Sequence, residues 1–114
     1  MPIPPKDHRI PVAAAKAMTW RYRNSVPKGS FLAGLFSAEA FQTLLAQPGC
    51  SGIRVYLGRH EDGTMNLVLV GTDTEGRDLV PGNPGLGEND GGEIMQDSYP
   101  CPPFCDDSSP LETD

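Results

Sequence analysis

Residues 53–70 read Ile-Arg-Val-Tyr-Leu-Gly-Arg-His-Glu-Asp-Gly-Thr-Met-Asn-Leu-Val-Leu-Val, and the fold class turns on them. Ile53, Val55 and Leu57 alternate with Arg54 and Tyr56, the two-residue period of a strand with one buried face. His60-Glu61-Asp62-Gly63 follows as a turn of the Asp-Gly kind that hairpins favour. The chain then returns from Met65 to Val70 apolar on both faces, which predicts a central strand covered by a helix. Asp73-Thr74-Glu75-Gly76 makes another turn, and residues 77–80 are expected as a short third strand. A β-meander results.

Working back from the meander, Ser37 is placed to cap a helix that ends at Gln47-Pro48-Gly49. Phe36 before the cap and Phe41 after it have the spacing of a hydrophobic staple, and Glu39 suits the positive end of the helix dipole. Phe41, Leu44 and Leu45 form its apolar stripe. Residues 30–36 allow a short buried strand, although Gly34 interrupts the run. Further upstream, Pro11 suits a first helical position, and Val12-Ala-Ala-Ala-Lys-Ala-Met is rich in helix formers. Val12, Ala15, Thr19, Tyr22 and Val26 share one helical face, and Pro27 stops the helix. The expected architecture is α+β: two helices packed on a small antiparallel β-meander over residues 10–80, after a flexible stretch at 1–9.

Charge divides the chain of 114 residues unevenly around its formal total of -6. All nine Lys and Arg lie before residue 81, whereas residues 81–114 hold eight acids and no base. That C-terminal stretch also carries six Pro and five Gly, with only Leu86, Ile94, Phe104 and Leu111 from the Leu/Ile/Val/Phe set. So little apolar surface cannot offset the entropy of ordering a backbone, and a disordered acidic tail is expected. The length leaves no room for a dinucleotide-binding unit beside a second domain. No apolar run approaches the roughly 20 residues of a membrane-spanning helix. Nor does the N-terminal stretch show the apolar region of a secretory signal.

The run 36–41 (Phe-Ser-Ala-Glu-Ala-Phe), the run 44–56 with its Gln47-Pro48-Gly49-Cys50 turn, Leu67-Val68-Leu69-Val70-Gly71 and the closing Cys101-Pro102-Pro103-Phe104-Cys105 carry a resemblance. Over residues 10–105 the chain resembles a group of short, uncharacterised bacterial proteins. The resemblance implies the fold boundaries and no activity, so no catalytic residue follows from it.

Three cysteines offer the strongest chemical feature. Cys101 and Cys105, set around a Pro-Pro pair, could close a small disulfide, bind a soft metal with Cys50, or present a reactive thiolate. His8 or His60 could supply a fourth ligand, although both read as surface residues. The three intervening residues, the two prolines and the acidic neighbours Asp106 and Asp107 disfavour a thioredoxin-type motif. The favoured reading is a short docking motif made of Tyr99, Cys101, Pro102, Pro103, Phe104 and Cys105, an apolar island in an acidic segment. Lys16, Trp20 and Arg23 recur at helical spacing and form a second candidate contact face. A net charge of only +2 over residues 1–80 disfavours nucleic acid there, although an acidic tail screening that face remains a further alternative. No phosphate loop, Ser/His/Asp arrangement or His-x-x-x-His pair occurs, so catalysis has no residues to point to, and no cofactor is expected. The expectation is a small cytoplasmic, non-catalytic module that binds a protein partner and has no membrane attachment. A thiol-redox or metal-binding protein using Cys50, Cys101 and Cys105 is the runner-up. The odd number of cysteines accords with a reducing compartment.

Overall fold

A computed structural model describes residues 2–86 and 92–113. Its elements run α1 (Val12–Arg23), β1 (Ala33–Leu35), α2 (Ala38–Leu45), β2 (Gly52–Arg59), β3 (Met65–Thr72), a 3-10 turn at Pro84–Leu86, β4 (Ile94–Gln96) and β5 (Tyr99–Cys101). The chain is α+β, with antiparallel pairing throughout. It divides into two units, Met1–Pro4 with Phe36–Ser98, and Pro5–Leu35 with Tyr99–Asp114. The division does not fall at residue 80, where the charge pattern suggested it. The second unit draws on both ends of the chain.

In the first unit the strand order is β2-β3-β4, which puts β3 in the centre, as its two apolar faces require. Arg59 pairs with Met65, so the connection is the five-residue loop 60–64. Gly63 there takes φ +90°, and Asp62 Oδ1 accepts the Thr64 N–H at 2.9 Å and hydroxyl at 2.7 Å. Those bonds hold the Asp62 carboxyl below the usual carboxylate range. The third strand comes from an unexpected place. Residues 77–80 make only one isolated bridge, Thr72 with Asp78, because the chain turns away at Pro81-Gly82, while the Asp78 carboxylate accepts from Arg54 and Tyr56. From Val68 to Val70 the open edge of β3 is filled by β4, in the segment expected to be disordered. A three-residue strand needs little apolar burial when an existing edge supplies its hydrogen bonds.

Helix α2 begins where expected, but by a different device. Ser37 is the N-cap residue, yet its side chain makes no capping bond. The Phe36–Phe41 staple fixes the entry, with ring centroids 6.1 Å apart and planes at 87°. At its other end the helix meets β3 at Gly71. A Cβ on Gly71 would lie 2.8 Å from Gln47 Nε2 and 2.9 Å from Cys50 Sγ, so any side chain there would force those two groups to shift. Gln47 ties the turn together, donating from Nε2 to the Leu44 carbonyl at 2.9 Å and accepting the Glu93 N–H at 2.8 Å. Leu44, Leu69, Val70 and Leu79 are the buried core of this unit.

The expected burial of Ile53, Val55 and Leu57 holds only in part. Ile53 pairs with Gly71 and so shares the face beneath α2. Along that face exposure climbs to 54% at Val55 and 74% at Leu57. An eight-residue helix spans roughly 12 Å, less than half the length of an eight-residue strand, and it runs out before it reaches them. A buried polar pair closes the far side of the sheet. Asn66 Oδ1 accepts from the Ser98 N–H at 3.1 Å, the Ser98 hydroxyl at 2.5 Å and the Leu67 N–H at 2.7 Å.

Candidate functional site

The second unit is built from α1, β1, β5 and the C-terminal turn. Pro11 serves α1 as its N-cap, with ψ 153°, one position earlier than the composition suggested. Arg21 and Arg23 occupy the last turn, where positive charge suits the carbonyl end of the helix dipole. Asn24 Nδ2 caps the Trp20 carbonyl at 2.8 Å, and the Ser25 hydroxyl caps that of Tyr22 at 2.8 Å. The chain reverses through Gly29 at φ +90°, and the Tyr22 hydroxyl donates to the Phe31 carbonyl at 3.0 Å. This aligns β1 against β5, Ala33 opposite Cys101 and Leu35 opposite Tyr99.

Helix α1 does not bury the stripe expected of it. None of its residues is buried; Val12 and Tyr22 are exposed, as are Met18 and Trp20. The reason is size. Among the described residues of this unit only Cys101 is a buried apolar side chain, so there is no core for the helix to cover. A disulfide between Cys101 and Cys105 does the stapling instead, with Cα atoms 4.8 Å apart. The bonds Cys101–Pro102 and Pro102–Pro103 are cis. Tyr99 and Phe104 stack edge to face across the loop at 5.3 Å, both exposed.

After Cys105 the chain folds into a tight turn. Asp106 Oδ1 accepts the Ser108 N–H at 3.0 Å and hydroxyl at 2.6 Å, which lowers the Asp106 pKa. The Asp106 N–H donates to the Glu112 carboxylate. Arg23 Nη1 reaches the Leu111 carbonyl at 3.1 Å and closes a groove of about 450 Å³ between α1, the chain entering β1, and residues 109–112. Its walls are largely apolar, from Met18, Tyr22, Leu32 and Leu111, with Arg23 and Glu112 at the rim.

Both sets of candidate contact residues thus fall in one unit. Tyr99, Cys101, Pro102, Pro103, Phe104 and Cys105 form β5 and its loop, while Lys16 and Trp20 line a shallow depression with Arg21. Arg23 is separated from that pair in use, since its guanidinium is engaged at the groove. Cys50 belongs to the first unit and the other two cysteines to the second; the Cys50 thiol donates to the Gly52 carbonyl at 3.3 Å. The ligand-type atoms that do converge are those of Cys101, Cys105 and Glu112, all within 4.8 Å of one another. Sequence reasoning did not single out Met18, Leu32, Leu111 or Glu112. The signal for the groove was present in Met18 and Tyr22 at helical spacing, and in Leu111 as one of the few large apolar residues near the C-terminus. His60 closes the base of the 60–64 loop, its backbone N–H donating to the Thr64 carbonyl at 2.8 Å, and its Nε2 lies 3.9 Å from Asp97. No helix is long and apolar enough to cross a membrane among the described residues. Comparison with family models, curated proteins and solved structures gave no match.

Proposed function

We propose that this chain is a non-catalytic interaction module whose second unit receives an apolar, acidic segment of a protein partner. The observation that carries the reading is a twelve-residue helix with no buried residue in the same unit as an exposed Tyr99–Phe104 pair. Helices of this length are marginal without packing, so α1 is suited to gain its packing from a partner. The acidic character of that partner follows from charge on the helix: α1 holds Lys16, Arg21 and Arg23 and no acid, while the unit's five acids all lie outside it. Lys16 and Arg21 flank Trp20, where they can pair with carboxylates while the indole covers an apolar side chain. The reading places the protein in the cytoplasm, where cellular thiols would hold Cys101 and Cys105 largely as a dithiol.

Photo-crosslinking in the cell of origin tests it. A photoreactive phenylalanine analogue at Met18 or Phe104 should give a discrete cross-linked species, and the same probe at Leu57 should not. Reversing charge at Lys16 and Arg21 to Glu should abolish the species. Cross-linking that survives the reversal, or none at either position, overturns the proposal.

A further inference from the structure

We propose that reduction converts the Cys101–Cys105 loop into a zinc site, with Glu112 as the third ligand. This inference is independent of the docking reading. Its basis is convergence: two sulfurs and a carboxylate oxygen already lie within 4.8 Å of one another. Zinc takes thiolate sulfur at about 2.3 Å and carboxylate oxygen at about 2.0–2.2 Å, so only side-chain rotation is needed to close such a set around one ion. The backbone does the positioning. Cys101 and Cys105 are held with Cα atoms 4.8 Å apart by a loop containing two prolines. Glu112 is brought back over them by the 106–112 turn, through the Asp106 N–H on its carboxylate and the bond from its own N–H to the Ser109 carbonyl at 3.1 Å.

The donor set selects the metal. Two thiolates favour zinc or cuprous copper over hard cations, and the added carboxylate favours zinc over copper. Three protein ligands leave a fourth tetrahedral position for water. Asp106 is nearer in sequence but is occupied by Ser108, and Cys50 is held at Gly52.

The step balances with a low-molecular-weight thiol as reductant. Two equivalents of that thiol break the Cys101–Cys105 bond, form two S–H groups and leave as the small disulfide. Zinc then replaces both thiol protons, which pass to solvent. The reverse exchange, with a small disulfide as oxidant, re-forms the Cys101–Cys105 bond and releases the ion.

Native mass spectrometry of the full chain with zinc chloride tests this, alongside cobalt substitution read by sulfur-to-metal absorption. The reduced chain should take up one zinc ion and the oxidised chain none. Glu112→Gln keeps an acceptor for the Asp106 N–H and should weaken zinc by at least about tenfold, since even outer-shell changes cost that much. Cys50→Ser should leave the affinity unchanged. Equal uptake by the oxidised chain, no uptake by the reduced chain, an unweakened Glu112→Gln variant, or loss of binding in Cys50→Ser would each overturn the proposal.

Discussion

Asn66 shows how much one polar side chain can decide inside an apolar strand. It is buried with Ser98, and its Oδ1 satisfies two Ser98 donors while Nδ2 reaches the Ser98 carbonyl at 3.3 Å. Replacing it with Leu leaves those groups without partners, which costs about 1–3 kcal/mol. Urea unfolding should show that loss for Asn66→Leu, whereas Leu57→Gln, at an exposed site, should stay within about 0.5 kcal/mol. Similar midpoints for the two variants would remove the pair from the account of stability. Nothing in the sequence marked Asn66 as buried, because its partner lies thirty-two positions away. The close approach at Gly71 was hidden for the same reason: it depends on Gln47 and Cys50, which belong to another element.

At the scale of elements, the parts with a local pattern were legible. The Phe36–Phe41 spacing announced α2, and the alternation from Ile53 with the return at Met65 announced β2 and β3. Strands β4 and β5 were not legible, since three residues such as Ile94-Met95-Gln96 are too few to show a period. Their pairing is set by the edges they meet. Helix α1 was legible as a helix, but its exposed state was not, because periodicity reports a face and not whether anything covers it. That exposure has a measurable consequence. In hydrogen exchange of the isolated chain, α1 amides should exchange well ahead of those in β3, whose Leu69 and Val70 are buried. Protection of α1 equal to that of β3 would show that the helix is already packed.

For the molecule as a whole, the cysteines give the simplest count. Without reductant, alkylation of the native chain should modify one thiol, that of Cys50, and after reduction three. Three adducts without reductant would show that the loop is open as isolated. The candidate site was half legible at this scale. The Cys-Pro-Pro-Phe-Cys island and the Trp20 face both stood out as local patterns, but their assignment to one unit, and the meeting of Glu112 with the cysteines, depend on long-range pairing.

That pairing also sets a timetable. The second unit takes α1 and β1 from Pro5–Leu35 and β5 from Tyr99–Asp114, with most of the first unit, Phe36–Ser98, encoded between them. During synthesis, residues 36–98 can emerge and fold while α1 waits without β5, since Tyr99 and Cys101 follow that whole stretch in the chain. A product truncated between Ser98 and Cys105 would carry a finished β2-β3-β4 sheet and no disulfide loop. The contact face therefore exists only on chains translated past Cys105.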